Sequence, residues 1–133
     1  MHLVTSLTVD ASLLRKLIRL WDEGGDPRNP FARVLITPLF ASPSTLRLIR
    51  EELKEKRGAE VYFDSGGYYV QQGKIAFEQL YRDLRDFYRQ PANQWADWYV
   101  LPDHVPTSLD PAYVVEAKVN DTITAARVFL AEM

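Results

Sequence analysis

Two short polar stretches of this chain hold the side chains whose types and spacing can do chemistry, and each follows a short apolar run. The first, Asp64-Ser65-Gly66-Gly67-Tyr68-Tyr69, comes directly after Val61-Tyr62-Phe63. A carboxylate, a hydroxyl, two glycines without Cβ atoms and an aromatic ring together supply an acceptor, exposed amides and a stacking face. That set suits a flat, polar heterocycle. The second is Asp103-His104, inside the proline-bounded loop 102–108 and just past Trp98-Tyr99-Val100-Leu101. A carboxylate accepts N–H donors from a ring edge, and histidine titrates near neutral pH, so it can move a proton. Both stretches also have plainer readings. Asp-Ser-Gly-Gly is good turn chemistry, Asp103 can cap a turn, and a lone histidine beside a carboxylate can simply anchor a loop.

The elements that must position these groups follow from periodicity. Residues 2–9 mix Leu3, Val4, Leu7 and Val9 with Thr and Ser as a first strand. Asp10 can cap a helix in which Leu13, Leu14, Leu17, Ile18 and Trp21 share one face, ended by Gly24-Gly25-Asp26-Pro27. Residues 33–37 form a second apolar run, halted by Pro38. Ser42-Pro43 then opens a helix with Leu46, Ile49 and Leu53 inward, ending at Arg57-Gly58. Ala59, Val61, Tyr62 and Phe63 make a third strand. Phe77, Leu80, Tyr81, Leu84 and Phe87 step at helical spacing over residues 75–90, and Trp98 to Leu101 form a fourth strand. Asp110-Pro111 opens the last helix, whose expected inner face is Val115, Val119, Ile123, Ala126 and Leu130.

Strand and helix therefore alternate about four times in a single α/β domain, residues 1–133. Such alternation implies parallel strands joined by crossover helices, a partial TIM-barrel-like arrangement or, alternatively, an open three-layer sheet. In both architectures ligands gather at the carboxyl ends of the strands, which predicts one rim for Thr37, Asp64 and Asp103. Neighbouring strands lie only about 4.8 Å apart, so two such carboxylates can converge on one pocket.

Composition excludes several classes. The 133 residues are 47% hydrophobic and 26% charged, ordinary for a globular chain that can bury a core. A net charge of −2 gives no overall basic footprint for nucleic acid. Arg47, Arg50, Arg57, Arg82, Arg85 and Arg89 alternate with acids as on a solvated helix face. With no cysteine and only two histidines, no metal site is expected. No apolar run approaches the roughly 20 residues of a membrane span, and no signal-peptide pattern opens the chain, so the expected compartment is the cytoplasm. Trp95, Trp98 and Tyr99 read as sheet packing rather than as a platform for bases.

Phe63-Asp64-Ser65-Gly66-Gly67-Tyr68 closely resembles the signature of the tRNA-guanine transglycosylase family, which exchanges guanine for a 7-deazaguanine base and includes relatives that modify DNA. The resemblance implies half of an (α/β)8 barrel. It gives Asp64 the role of an active-site carboxylate engaging base and ribose, places Ser65, Gly66 and Gly67 along the base pocket, and makes Tyr68 the stacking ring. Tyr69 stands where the family usually has Gln. Asp103 resembles the family's base-reading aspartate one strand later, with His104 beside it, although the surroundings differ from the commoner Asp-Glu-Cys-Thr-Pro form.

The resemblance also implies what should come from elsewhere. The family's nucleophilic aspartate and its zinc site belong to the second half of the barrel, past Met133, so no cofactor is expected in this chain. The expected partners are guanine or a 7-deazaguanine base, tRNA or DNA, and a complementary chain or a second copy. Open sheet edges and the strand faces bearing Val34, Ile36, Val61, Phe63, Tyr99 and Leu101 should otherwise meet water. The remaining alternatives are a purine-binding module without catalysis and an unrelated α/β domain whose Asp-Ser-Gly-Gly is only a turn.

Overall fold

In the computed structural model the described residues are 4–8, 10–24 and 29–132. His2, Leu3 and Val9 of the expected first strand, and the Gly25-Asp26-Pro27 helix stop, lie outside them. The chain divides into two compact units, Met1–Asp64 with Trp95–Tyr99, and Ser65–Gln94 with Val100–Met133.

The first unit is a four-stranded parallel sheet with helices between its strands. Its elements are β1 (Thr5–Ser6), α1 (Ala11–Gly24), β2 (Arg33–Ile36), α2 (Pro43–Leu48), β3 (Glu60–Phe63) and β4 (Trp98–Tyr99), and the strands lie in the order β1-β2-β3-β4. Val34 sits opposite Val61, Ile36 opposite Phe63, and Phe63 opposite Tyr99. The helix starts are local chemistry. Asp10 Oδ1 accepts the Leu13 N–H at 2.8 Å, and Ser42 Oγ accepts the Thr45 N–H at 3.1 Å ahead of Pro43. Past Leu48 the helix widens into π-type turns over Ile49–Glu55, where the Lys56 N–H reaches back to the Glu51 carbonyl.

Alternation along the strands decides what the sheet buries. Val34, Ile36, Val61 and Phe63 point to one face and are buried with Leu14, Ile18, Ile49 and Leu53 of the two helical segments, forming the core of this unit. The expectation that these strand residues would meet water is thus corrected, and Tyr99 and Leu101 are part-buried as well. The helices α1 and α2 contact each other as they cover this face. The opposite face carries Leu35, Tyr62 and Trp98. Trp98 stacks on Tyr62 with centroids 6.0 Å apart but is 58% exposed, so its expected core role is corrected too. Arg57 is likewise not on a solvated face. It reaches Asp22 at 2.5 Å and Glu52 at 2.9 Å, tying α1 to the segment after α2. The Asp22 hydrogen bond raises the pKa of Arg57, and Arg57 holds the Glu52 carboxyl below its ordinary range.

Asp97 joins β3 to the start of β4. Its Oδ2 accepts the Val61 N–H at 2.8 Å, its own N–H donates to the Val61 carbonyl, and Lys54 donates to Oδ1 at 2.8 Å. Burial pushes this carboxyl up, but Lys54 and the Val61 amide outweigh it, and the net pKa is lowered. A lowered folded pKa means stabilisation that is complete above the unfolded value near about 3.9 and fades as pH falls through the folded value. Asp97→Asn should therefore cost about 1–2 kcal/mol at neutral pH. In urea titrations below about pH 4 the gap to wild type should close, and a constant gap would contradict this account.

The second unit is helical and contains α3 (Gly67–Gln71), α4 (Phe77–Arg89) and α5 (Ala112–Glu132). Leu80 and Leu84 of α4 are buried as its periodicity requires, and Tyr88 joins them, its hydroxyl donating to the Val100 carbonyl at 3.0 Å. The inner face of α5 differs from the expected one. Ala125 and Phe129 are buried, Phe129 packing edge-on against Tyr81 and Tyr88, whereas Val119, Ile123 and Leu130 are 45%, 43% and 63% exposed. The buried stripe passes instead through Lys118 and Thr122, both hydrogen-bonded to the loop before α5 or its own turn. Among the described residues no helix is long and apolar enough to cross a membrane.

Candidate functional site

The residues singled out from sequence fall on both units, and each set is described within its own. Asp64 belongs to the first unit, directly after β3. Its N–H donates to the Ile36 carbonyl at 2.8 Å, and Thr37 Oγ1 donates to its Oδ2 at 3.4 Å. Thr37 and Asp64 thus do share the carboxyl end of neighbouring parallel strands, β2 and β3.

Ser65, Gly66, Gly67, Tyr68, Asp103 and His104 belong to the second unit. Ser65 is 1% exposed, and its Oγ donates to Asp103 Oδ1 at 2.5 Å while accepting the Gly67 N–H at 3.2 Å. One buried hydroxyl therefore joins two segments 38 positions apart in the chain. Gly66 makes the approach possible at φ 87, a left-handed conformation that side-chain-bearing residues resist, and the helix α3 starts right after it. At Gly67 a Cβ would overlap the Asp103 carboxylate, with the carboxyl carbon at 2.8 Å and Oδ2 at 2.9 Å. Glycine here makes room for a carboxylate of the same chain, where sequence reasoning expected room for a ligand. Nor did the sequence signal a helix at residues 67–71. Ser65 Oγ, by accepting the Gly67 amide, starts it.

The chain matches no protein-family model, no curated protein and no solved structure.

Among the described residues, Asp103 Oδ2 has no hydrogen-bond donor, which leaves an acceptor for a ligand N–H. Tyr68 is 59% exposed on the first turn of α3, with a ring face open to solvent. His104 is held on three sides. Its Nδ1 lies 3.1 Å from Asp121 Oδ2, its ring stacks on Phe77 at 4.8 Å and 6°, and its main-chain N–H donates to Thr122 Oγ1 at 2.8 Å. Gln71 adds a bond to the Pro106 carbonyl at 2.8 Å. Asp110 closes the loop, accepting from the Thr107 amide and from Lys118, and the Lys118 bond holds its carboxyl below the ordinary range.

Beside Asp103 and His104 opens a cleft of about 280 Å3, bounded by Val105 and Pro106 and by Val119 and Ile123 of α5. Phe77, Asp121, Thr122 and the two aliphatic residues of α5 were all missed from sequence. Thr122 and Lys118 carried a signal, two polar residues one turn apart on a mostly apolar helix. Among the described residues no group of three His, Asp or Glu side chains gathers to hold a metal ion.

Proposed function

We propose that this chain is a tRNA-guanine transglycosylase-like protein, which recognises guanine or a 7-deazaguanine base for exchange in tRNA or DNA and works with a complementary chain. The observation that carries this reading is the Ser65–Asp103 hydrogen bond, with Gly67 giving the carboxylate its room. The two segments that resemble the family's base-pocket motif and its base-reading aspartate meet, although nothing in their separate sequences requires it. Asp103 has an oxygen left for the N–H edge of a guanine-type ring, and Tyr68 has an exposed ring to stack on it.

In the exchange, an aspartate attacks the ribose C1′, the bond to guanine breaks, and the incoming base displaces the aspartate from the same carbon. Within this reading the attacking aspartate belongs to the complementary chain. The unreversed strand order supports a barrel-like arrangement over the open three-layer alternative. The exposed sheet face around Trp98 and Tyr62 gives a second half something to cover. A second reading is a purine-binding module that never exchanges a base. The gathering of Ser65, Tyr68, Asp103 and His104 within one unit favours it, since binding then needs no second chain.

Calorimetric titration separates these readings from an unrelated α/β domain. Guanine or 7-deazaguanine should bind and phosphorylated sugars should not, and failure to bind any guanine-type base rejects both. Incorporation of labelled guanine into tRNA or DNA only when a complementary chain is added favours the transglycosylase. Light scattering adds the assembly test, because a monodisperse monomer of 15.3 kDa would reject an obligate partnership.

A further inference from the structure

We propose that the cleft between α1 and the helical segment that follows β2 is a phosphate site, in which Arg15 and Arg19 hold the sugar-phosphate backbone of a nucleic acid. The identity of the occupant rests on the base-exchange reading, whose substrate is a polynucleotide, whereas the site itself does not. Charge is unevenly spread over this chain. The helical segments 11–24 and 43–57 hold eight Lys or Arg and five Asp or Glu, a local charge of +3 in a chain whose net charge is −2. A basic patch on a chain of the opposite sign is the electrostatic footprint of a phosphate-bearing partner.

The cleft belongs to the sheet unit and holds about 230 Å3, lined by the buried Ile18 and Leu48 and by Arg15, Arg19, Asp22, Glu52 and Arg57. Its two carboxylates are already engaged. Asp22 and Glu52 both pair with Arg57, and Glu52 also lies 3.6 Å from Lys56. Among the described residues, neither Arg15 nor Arg19 has an acid within ion-pair distance. The two stand four residues apart on one face of α1, where like charges destabilise a helix and an anion between them would relieve the repulsion. Two guanidinium groups on one rim present planar forks of N–H donors, which match phosphate oxygens. Size points the same way. The cleft is smaller than the roughly 300–1,000 Å3 of pockets that enclose drug-sized ligands, so it suits one anionic group of a larger molecule rather than a whole nucleotide. Asp22 and Glu52 beside the arginines disfavour a flat anionic membrane, which would press on them as well.

The test uses the full chain and a labelled oligonucleotide of roughly 15 thymidines, which carries phosphates but no guanine and so reports on this cleft without the base site. Binding should weaken as salt rises, with a log–log slope of about −1.4 for two phosphates neutralised on a single strand. Arg15→Gln and Arg19→Gln should each lower affinity about tenfold and take roughly 0.7 off that slope, while guanine binds as in wild type. Arg82→Gln on α4 makes the same charge change away from the cleft and should bind the oligonucleotide like wild type. Glutamine forms helix about as well as arginine, and circular dichroism checks that every variant is folded. Three results would each overturn the phosphate site and leave the base reading standing: no oligonucleotide binding, an Arg82→Gln loss equal to that of the cleft variants, or tighter binding to phosphatidylserine vesicles or inorganic phosphate than to the oligonucleotide. A chain that binds the oligonucleotide through Arg15 and Arg19 but binds no guanine overturns the base reading and keeps the phosphate site.

Discussion

The Gly67→Ala variant should lose base binding as completely as Asp103→Ala, although residue 67 offers a ligand no side chain. An added methyl would occupy the position of the Asp103 carboxylate, and the atoms it displaces are the end of a side chain that can rotate away. The fold should therefore survive. What goes is the Ser65 Oγ bond to Asp103 and, with it, the position of the acceptor oxygen. Leaving the ring N–H groups unpaired costs about 1–3 kcal/mol, or roughly 5- to 150-fold in Kd. Alanine is also the better helix former at the first turn of α3, so melting temperature should change little while affinity falls. Titration and thermal melting on the same sample check both halves. Normal guanine binding by Gly67→Ala would show that Asp103 need not sit where Ser65 holds it.

Phe63→Ala should be the most damaging single truncation in the sheet unit. The ring is fully buried and packs edge-on against Trp95 at 5.0 Å and Tyr99 at 5.7 Å. Truncating a buried Phe costs about 3–5 kcal/mol, lost transfer energy plus a cavity, against a total stability of about 5–15 kcal/mol for a typical domain. Urea unfolding should show that loss. Trp98→Ala, although it removes a larger side chain, should cost roughly 1 kcal/mol or less in the isolated chain, because that ring is mostly in water. Equal costs would mean that the two sheet faces are buried alike. A Trp98→Ala variant that is stable alone but fails to pair with a complementary chain would mark this face as the seam.

The assembly argument changes form with the structure. The strand residues expected to need a partner, Val34, Ile36, Val61 and Phe63, are already covered by the unit's own helices. A second chain would instead cover the mixed face, where Arg33 pairs with Glu60 at 3.2 Å and Tyr62 stacks on Trp98. Such a face tolerates water when uncovered, so exposed apolar area gives little argument for a partner.

What the sequence by itself determined was local or periodic. Asp10 and Ser42 cap their helices because a side-chain acceptor within three residues of a free amide needs no other part of the chain. Alternating short apolar runs and amphipathic stretches were sufficient for four parallel strands with helices between them, since that pattern has few ways to bury itself. The inward Leu80 and Leu84 of α4 were legible for the same reason, with charged residues marking the other side. Only the tertiary structure decided the orientation of α5, because polar and apolar residues are mixed around that helix and its direction is set by loop anchors, Thr122 to the His104 amide and Lys118 to Asp110. The sequence also could not tell which neighbour Gly67 makes room for, or that Ser65 joins it to Asp103. Those contacts link positions far apart in the chain, and periodicity records only what each element does along its own length.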